Sequence, residues 1–345
     1  MNLSTIKPRY DWVDAMKFLG ISAIYLGHLG TYAGKLYPFV FSFHVPLFFF
    51  AAGFFAAHKA KSNFVQFTIN KARRLLLPYF AFAFMTLLIT GLGSGSGIEG
   101  LKGSVIEIIF GIRNAPAVGS LWFINCLFTI FIIDFIFSRI TTNPVVLLIL
   151  SLIAYVLSQT VLGHNPLVDP KWIFNVDSAL AYWWSLAAGR CLFSTLQNSK
   201  AFSKSVPGAV LFAVLGLITA YQLFNSGSLL LAVLQKIQPS LAGYAAVGMF
   251  NNIFTTLCLI LTCVFVAKAI CESKYVINVG KNTLNICGLE YIVKSLIPLF
   301  IGLLGLQFTI PNPLAAVIYT CICIYVAHKI GVWLSDIIRG PFLIK

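Results

Sequence analysis

The chain has 345 residues, of which 59% are hydrophobic and only 10% are charged, and its mean hydropathy is +0.90. Soluble domains carry about 25% charged residues, so this composition excludes an ordinary soluble protein and indicates an integral membrane protein. The formal net charge of +14 does not indicate nucleic-acid binding, because the basic residues follow the pattern of a membrane topology.

About ten apolar segments are long enough to cross a bilayer, which takes about 20 residues of helix. In chain order the predicted spans are 15–33, 38–57, 74–92, 120–138, 144–163, 177–195, 207–225, 246–271, 282–304 and 312–335. No separate soluble domain is visible, so we predict one all-α transmembrane domain over residues 1–345. The longest polar connection, 93–119, is predicted to hold a short surface helix at GSVIEIIFGI.

Lysine and arginine are concentrated in alternate connections between the predicted spans. If the N-terminus is cytoplasmic, most of the 24 basic residues fall on the cytoplasmic side, which predicts that both termini are cytoplasmic. The first apolar segment is too long for a signal peptide and lacks a small-residue cleavage site, so we expect an uncleaved anchor. The eight cysteines show neither a CxxC nor a His-pairing pattern, and we expect no disulfide and no metal site.

The first span carries polar residues along one face. Lys17 opens the run KFLGISAIYLGHLG (residues 17–30) and His28 lies deep inside it. The two are three helical turns plus about 20° apart, so they share a face about 16 Å long, and Asp14 precedes them on the same stripe. His28 is either an interhelical hydrogen-bonding residue, with glycines beside it for close approach, or a general base. The charges on its stripe favour the base.

Other polar residues in the spans also allow two interpretations. His44 begins the second span at the depth of His28, where it either brackets a reacting hydroxyl with His28 or caps its helix. Trp122 is predicted at the outer interface, and Asn125, one turn deeper, needs a buried partner. Glu290 lies four residues before Lys294, which predicts a self-neutralising pair.

A basic cluster, Lys71, Arg73 and Arg74, precedes the third span at the cytoplasmic face. It is either an ordinary topological anchor or a clamp for the phosphates of an anionic cofactor. The charges alone favour the anchor.

Several of these strings resemble the acyltransferase 3 family in their order and rough spacing. They are DWVDAMKFLGISAIYLGH, FHVPLFFFAAGFF, RRLLLPYF, LWFINCLF and GKNTLNIC, and the likeness runs from about residue 9 to 335. Within the family the chain looks most like the sugar O-acetyltransferase branch that includes fucose acetylase-like proteins. The resemblance implies a ten-helix enzyme of the bacterial inner membrane. Such an enzyme moves acetyl groups from cytoplasmic acetyl-CoA to hydroxyls of cell-envelope or lipid-linked sugars, without a metal or nucleic acid.

The resemblance also implies roles for individual residues. The family's first-helix motif is an arginine, ten residues and a histidine, and Lys17 and His28 stand at those positions. With Asp14, these residues are the expected catalytic group. Lys17, Arg73 and Arg74 are expected to bind the phosphates of CoA. The expected acceptor-binding residues are His44, Trp122, Asn125 and Glu290.

Two questions stay open at the level of sequence. His28 acts either as a general base on the sugar hydroxyl or as a carrier of the acetyl group. A secondary transporter or exporter of a glycan or glycolipid is the alternative to an enzyme, since buried ionisable residues suit both. If the donor reaches His28 along the first helix, Ile21 and Ile24 are expected to line a water-accessible path.

Overall fold

A computed structural model of the chain describes residues 9–56, 63–94, 98–115, 117–198, 206–225, 236 and 245–342. Helix accounts for 82% of it and the described residues contain no strand, which confirms the predicted all-α fold. The α-helices are α1 (Asp11–Gly27), α2 (Leu36–Phe41), α3 (His44–Gly53), α4 (Phe64–Ser94), α5 (Ile98–Phe110), α6 (Trp122–Phe137), α7 (Pro144–Thr160), α8 (Val176–Asn198), α9 (Val206–Asn225), α10 (Ala245–Ile270), α11 (Lys274–Lys281), α12 (Thr283–Leu303) and α13 (Pro313–Phe342).

Seven stretches of the described chain are long and apolar enough to cross a membrane. They are Leu36–Gly53, Phe64–Ile89, Gly119–Phe137, Pro207–Asn225, Val247–Ile270, Thr283–Leu303 and Pro313–Leu334. The other three predicted spans are also helices: α1 and α7 have 17 residues each, and α8 has 23 residues but is less apolar. The chain is therefore a multi-pass integral membrane protein.

The surface helix that was predicted between the third and fourth spans is present as α5. The predicted location of the termini concerns residues 1–8 and 343–345, which lie outside the described residues.

Glycines allow helices to approach closely at two crossings near the centre of the molecule. Gly53 of α3 lies against the backbone of Leu186 in α8, and Gly189 of α8 lies against the carbonyl of Phe50, so neither position has room for a Cβ atom. Gly280 of α11 lies in the same way against the backbone of Asp14. Close backbone approach of this kind is typical of membrane helices, whose association depends on packing rather than on water exclusion.

The two histidines with predicted roles, His28 and His44, both lie at helix ends. α1 ends at Gly27, and the amide of His28 donates the last helical hydrogen bond to Ile24. Gly30 then has a φ of +59°, a conformation that favours glycine, so the chain turns into a short 3₁₀ helix, Gly30–Ala33. The predicted span 15–33 therefore extends beyond the end of α1, and His28 lies directly after the last residue of that helix. His44 begins α3 after a break at 42–43.

Candidate active site

His28, Glu290 and Lys294 form one hydrogen-bonded cluster between α1 and α12. Nδ1 of His28 lies 2.8 Å from Oε1 of Glu290, and Nζ of Lys294 donates to the same oxygen at 2.7 Å. The predicted pair of Glu290 and Lys294 is therefore present, but the sequence did not show that His28 joins it. The Glu290 side chain is 3% exposed, so the lysine and the imidazole are what stabilise its charge away from water.

The helices around this cluster are held together by hydrogen bonds to backbone carbonyls. Lys294 also donates to the carbonyl of Tyr25 at 2.7 Å, and the Tyr25 hydroxyl donates to Ile286 at 2.6 Å, which joins α1 to α12. Tyr319 of α13 donates to the carbonyl of Lys294 at 3.0 Å. Three helices thus hold His28 and Glu290 in a fixed relative position.

The partner of His28 determines which ring nitrogen is available for chemistry. A carboxylate only accepts hydrogen bonds, so Nδ1 of His28 carries a proton. In the neutral ring Nε2 then has its lone pair free. The His28 side chain is 31% exposed and lines the cavity described next, so this nitrogen is accessible to a hydroxyl group that donates its proton.

A cavity of about 470 Å³ opens beside the cluster. Its polar lining includes His28, Glu290, Lys294, Ser120 and Ser295. Its aromatic and apolar lining includes Tyr32, Tyr291, Phe308, Ile310 and Tyr319. Aromatic faces beside a few convergent polar groups suit a small polar ligand with apolar faces, such as a sugar ring. A neighbouring cavity of about 190 Å³ shares Gly119, Ser120 and Tyr291 with it.

Lys17 lies in the N-terminal half of α1, beside a different pocket. Asp14 accepts hydrogen bonds from Lys17 at 2.6 Å and from Arg9 at 2.7 Å, so one carboxylate offsets part of the charge of the two cations. Lys17 lines an apolar pocket of about 250 Å³, whose wall includes Leu75 of α4. Arg73 and Arg74, directly before Leu75, are exposed. The two predicted donor-binding arginines therefore directly precede a residue that lines the pocket. Lys17, the third predicted donor-binding residue, lines the same pocket.

The described residues show no water path along α1 between Lys17 and His28. Ile21 and Ile24 are fully buried in the same apolar cluster as Phe48 and Ile286, and neither lines the Lys17 pocket or the His28 cavity. The prediction failed because it took the face of α1 from helical spacing alone, whereas neighbouring helices cover the stretch between Lys17 and His28. The two pockets at the ends of α1 are separated by packed side chains.

His44 does not share a cavity with His28, contrary to the interpretation that the two bracket one hydroxyl. Its Nδ1 donates to the carbonyl of Val40 at 2.7 Å, so it bonds the last turn of α2, and it is 4% exposed. The Phe41 ring contacts both imidazoles, with centroid distances of 6.4 Å to His28 and 4.7 Å to His44. His44 lines a separate cavity with Arg113.

Trp122 and Asn125 are both buried in α6 and lie outside the His28 cavity. The Trp122 ring packs beneath the guanidinium of Arg113, 4.5 Å from the ring centroid, instead of lying at a lipid interface. Asn125 donates to the carbonyl of Gly111 at 3.5 Å. Both residues support the loop that carries Arg113. No sequence pattern indicated Arg113, because it stands alone in a polar connection.

Comparison with known proteins gives a family match. A family model described as an acyltransferase domain, of the acyltransferase 3 type, matches residues 10–328, which is nearly the whole chain. Comparison with curated proteins and with solved structures gives no match. The match covers every helix from α1 to α12 and part of α13. Similarity to the fucose acetylase-like branch stays a prediction.

Proposed function

The chain belongs to the acyltransferase 3 family and is a membrane acyltransferase, and from that premise we propose that it moves an acetyl group from cytoplasmic acetyl-CoA to a hydroxyl of a cell-envelope sugar. The observation that carries this proposal is the bond of His28 to buried Glu290 beside a 470 Å³ cavity. A histidine oriented by a carboxylate is the arrangement that general-base catalysis of acyl transfer requires. We further propose the bacterial inner membrane as its location.

In the proposed reaction His28 acts on the acceptor hydroxyl. Nε2 of His28 takes the hydroxyl proton while the oxygen attacks the thioester carbonyl carbon, and the carbon–sulfur bond then breaks. The sulfur leaves as the thiolate of CoA and takes the proton from the imidazolium, so the ring returns to its neutral form. In the other proposed route Nε2 itself attacks the thioester carbonyl carbon and expels CoA as its thiolate. The sugar hydroxyl oxygen then attacks the acetyl carbon, the bond to Nε2 breaks, and the hydroxyl proton passes to the CoA thiolate.

Glu290 and Lys294 are proposed to position the His28 ring and to stabilise it during the reaction. The Glu290 carboxylate fixes the ring orientation and stabilises the imidazolium that forms when the hydroxyl proton is taken. Lys294 donates to the same carboxylate oxygen, so it offsets the charge of Glu290 and helps to hold the carboxylate in place. The pair is neutral overall, which lowers the cost of burying it.

The donor is proposed to bind at the Lys17 end of α1. Lys17, Arg73 and Arg74 hold the CoA phosphates in this proposal, because the nucleotide is anionic and stays in water. The apolar pocket behind Lys17 suits the thin, mostly uncharged pantetheine arm. Since Ile21 and Ile24 close the way to His28, these side chains have to move apart for the thioester to arrive.

The test uses the purified full chain in proteoliposomes with acetyl-labelled acetyl-CoA. We expect label on sugar hydroxyls, and envelope glycans from cells without the gene should lack the mass of one acetyl group. Label that remains on the protein when acceptor is withheld would identify the relay through His28. Sugar that crosses the bilayer unmodified while acetyl-CoA is not consumed would contradict the proposal and favour a transporter.

A further inference from the structure

A second polar cavity, which the proposed reaction does not use, lies beside α3 and α8. It has a volume of about 160 Å³, and three of its lining residues are His44, Arg113 and Tyr182. A cavity that holds one water molecule has a volume of at least about 10–15 Å³, so this cavity has room for a group of several heavy atoms. Its side chains offer hydrogen-bond donors and acceptors, and buried polar groups are normally hydrogen-bonded to a partner.

Arg113 brings a positive charge to this cavity without a carboxylate partner in the described part of the chain. One guanidinium N–H donates to the carbonyl of Leu167 at 2.6 Å, and the plane packs on the Trp122 ring. Its backbone N–H donates to Asn175 Oδ1 at 2.7 Å, which fixes the loop. A guanidinium has five donors, and those that do not bond Leu167 and Tyr182 remain for a ligand. Arginine presents them as a planar fork that matches carboxylates and phosphates.

His44 adds an acceptor to the same cavity. Because its Nδ1 donates to the carbonyl of Val40, the neutral ring has its lone pair on Nε2. A bare oxyanion cannot donate to that nitrogen, but a hydroxyl beside the oxyanion can. The Tyr182 hydroxyl is hydrogen-bonded to Arg113, where its oxygen accepts, so its own O–H remains as a further donor for the oxyanion. The lining therefore matches an acid group with a neighbouring hydroxyl.

We propose that this cavity binds the acidic group of a sugar acceptor, a carboxylate or a phosphate, together with the hydroxyl next to it. The proposal deepens the proposed function and rests on it for the acceptor being a sugar. The Phe41 ring lines the cavity and contacts both imidazoles, so it separates the anchored acid group from His28 and has to turn aside for a hydroxyl of the same acceptor to reach His28. The acceptor class is thus an acidic glycan rather than a neutral one.

Ligand binding by the full chain in detergent tests the proposal without acyl transfer. We expect glucuronate, glucose 1-phosphate or both to raise Tm in a concentration-dependent way, while glucose and inorganic phosphate raise it at least tenfold less effectively. The tighter of the two acidic sugars identifies the acid group. No shift with either acidic sugar, or equal shifts with inorganic phosphate, would overturn the proposal.

Two variants locate the binding site. Arg113→Met keeps an apolar stem over Trp122 and should weaken acidic-sugar binding at least tenfold, and Tyr182→Phe, which removes one hydroxyl and keeps the ring, should weaken it severalfold. Lys171→Met is the matched control, because Lys171 is an exposed cation of a neighbouring loop. Wild-type affinity in Arg113→Met would overturn the proposal. If Arg113→Met does not fold, wild-type affinity in Tyr182→Phe would overturn it. Since no acetyl-CoA is present, this failure is distinguishable from failure of the proposed acyl transfer.

Discussion

His28 and His44 are neighbouring imidazoles in very different surroundings. His28 lies at the end of α1, bonds a buried carboxylate and lines a large cavity. His44 lies at the start of α3, bonds a backbone carbonyl and lines a small cavity with an arginine and no acid. The Nδ1 atom donates in both, yet only the bond of His28 adds a negative charge that stabilises an imidazolium.

This contrast shows that the partner of a histidine, rather than its depth in the membrane, decides what it does. A carbonyl fixes the tautomer of His44 without favouring protonation as a carboxylate does. The proposed roles follow: His28 takes and returns a proton, whereas His44 accepts a hydrogen bond from a ligand. Variants of these histidines, of Glu290 and of the basic residues near Lys17 test the proposed roles one at a time.

The strongest loss of activity is expected when His28 is replaced by asparagine, whose amide nitrogen stands in for Nδ1. His28→Asn keeps a donor for Glu290 but has no base, and should lower kcat for acyl transfer by about 10²–10⁴-fold. The measurement is acetyl transfer from labelled acetyl-CoA at equal amounts of folded protein. A kcat within tenfold of wild type would show that His28 serves packing only.

Replacing the Glu290 carboxylate by a neutral amide is expected to have the second largest effect on kcat. Glu290→Gln should lower kcat by about 10–100-fold, because the imidazolium loses its stabilising charge. It also leaves Lys294 as an uncompensated buried cation, which costs about 3–5 kcal/mol of stability.

A double variant separates these two effects. Glu290→Gln with Lys294→Met should recover most of the lost Tm while kcat remains low. Recovery of activity together with Tm would mean that the Glu290 charge matters only for stability.

A smaller effect is expected at the other end of α1. Lys17→Ala should raise the KM for acetyl-CoA by about tenfold with little change in kcat, and Lys17→Arg should be tolerated, because a phosphate contact needs the charge. Arg73→Ala and Arg74→Ala should act in the same direction.

The control for these three residues is Lys274→Ala, at an exposed lysine where α11 begins. It should leave the KM unchanged. Equal KM values in all four variants would mean that the basic residues are topological anchors only.

The smallest expected effect is that of His44→Asn on transfer to a neutral sugar. The variant retains a donor for Val40 and leaves the His28 cluster intact, so kcat should stay within about threefold of wild type. With an acidic sugar the KM should rise severalfold, because the acceptor nitrogen is gone. A loss of kcat as large as that of His28→Asn would make His44 part of the reacting group.

The pattern of apolar residues was enough to predict the fold class and the location of the helices. Apolar segments of about 20 residues have to form helices in a bilayer, since the backbone has no water to bond with, and all ten predicted segments are helical. It also indicated His28 and the pair of Glu290 and Lys294, because ionisable residues in apolar runs stand out and a spacing of four places them on one helix face.

Which of these residues meet depends on how the helices pack against one another. Glu290 comes 262 positions after His28, and no helical period relates residues on different helices. The burial of Ile21 and Ile24 depends on the helices that cover α1, and the separate cavity of His44 depends on Arg113 from a distant loop. Spacing along one helix fixes a face, but packing between helices decides whether that face meets water, lipid or another charge.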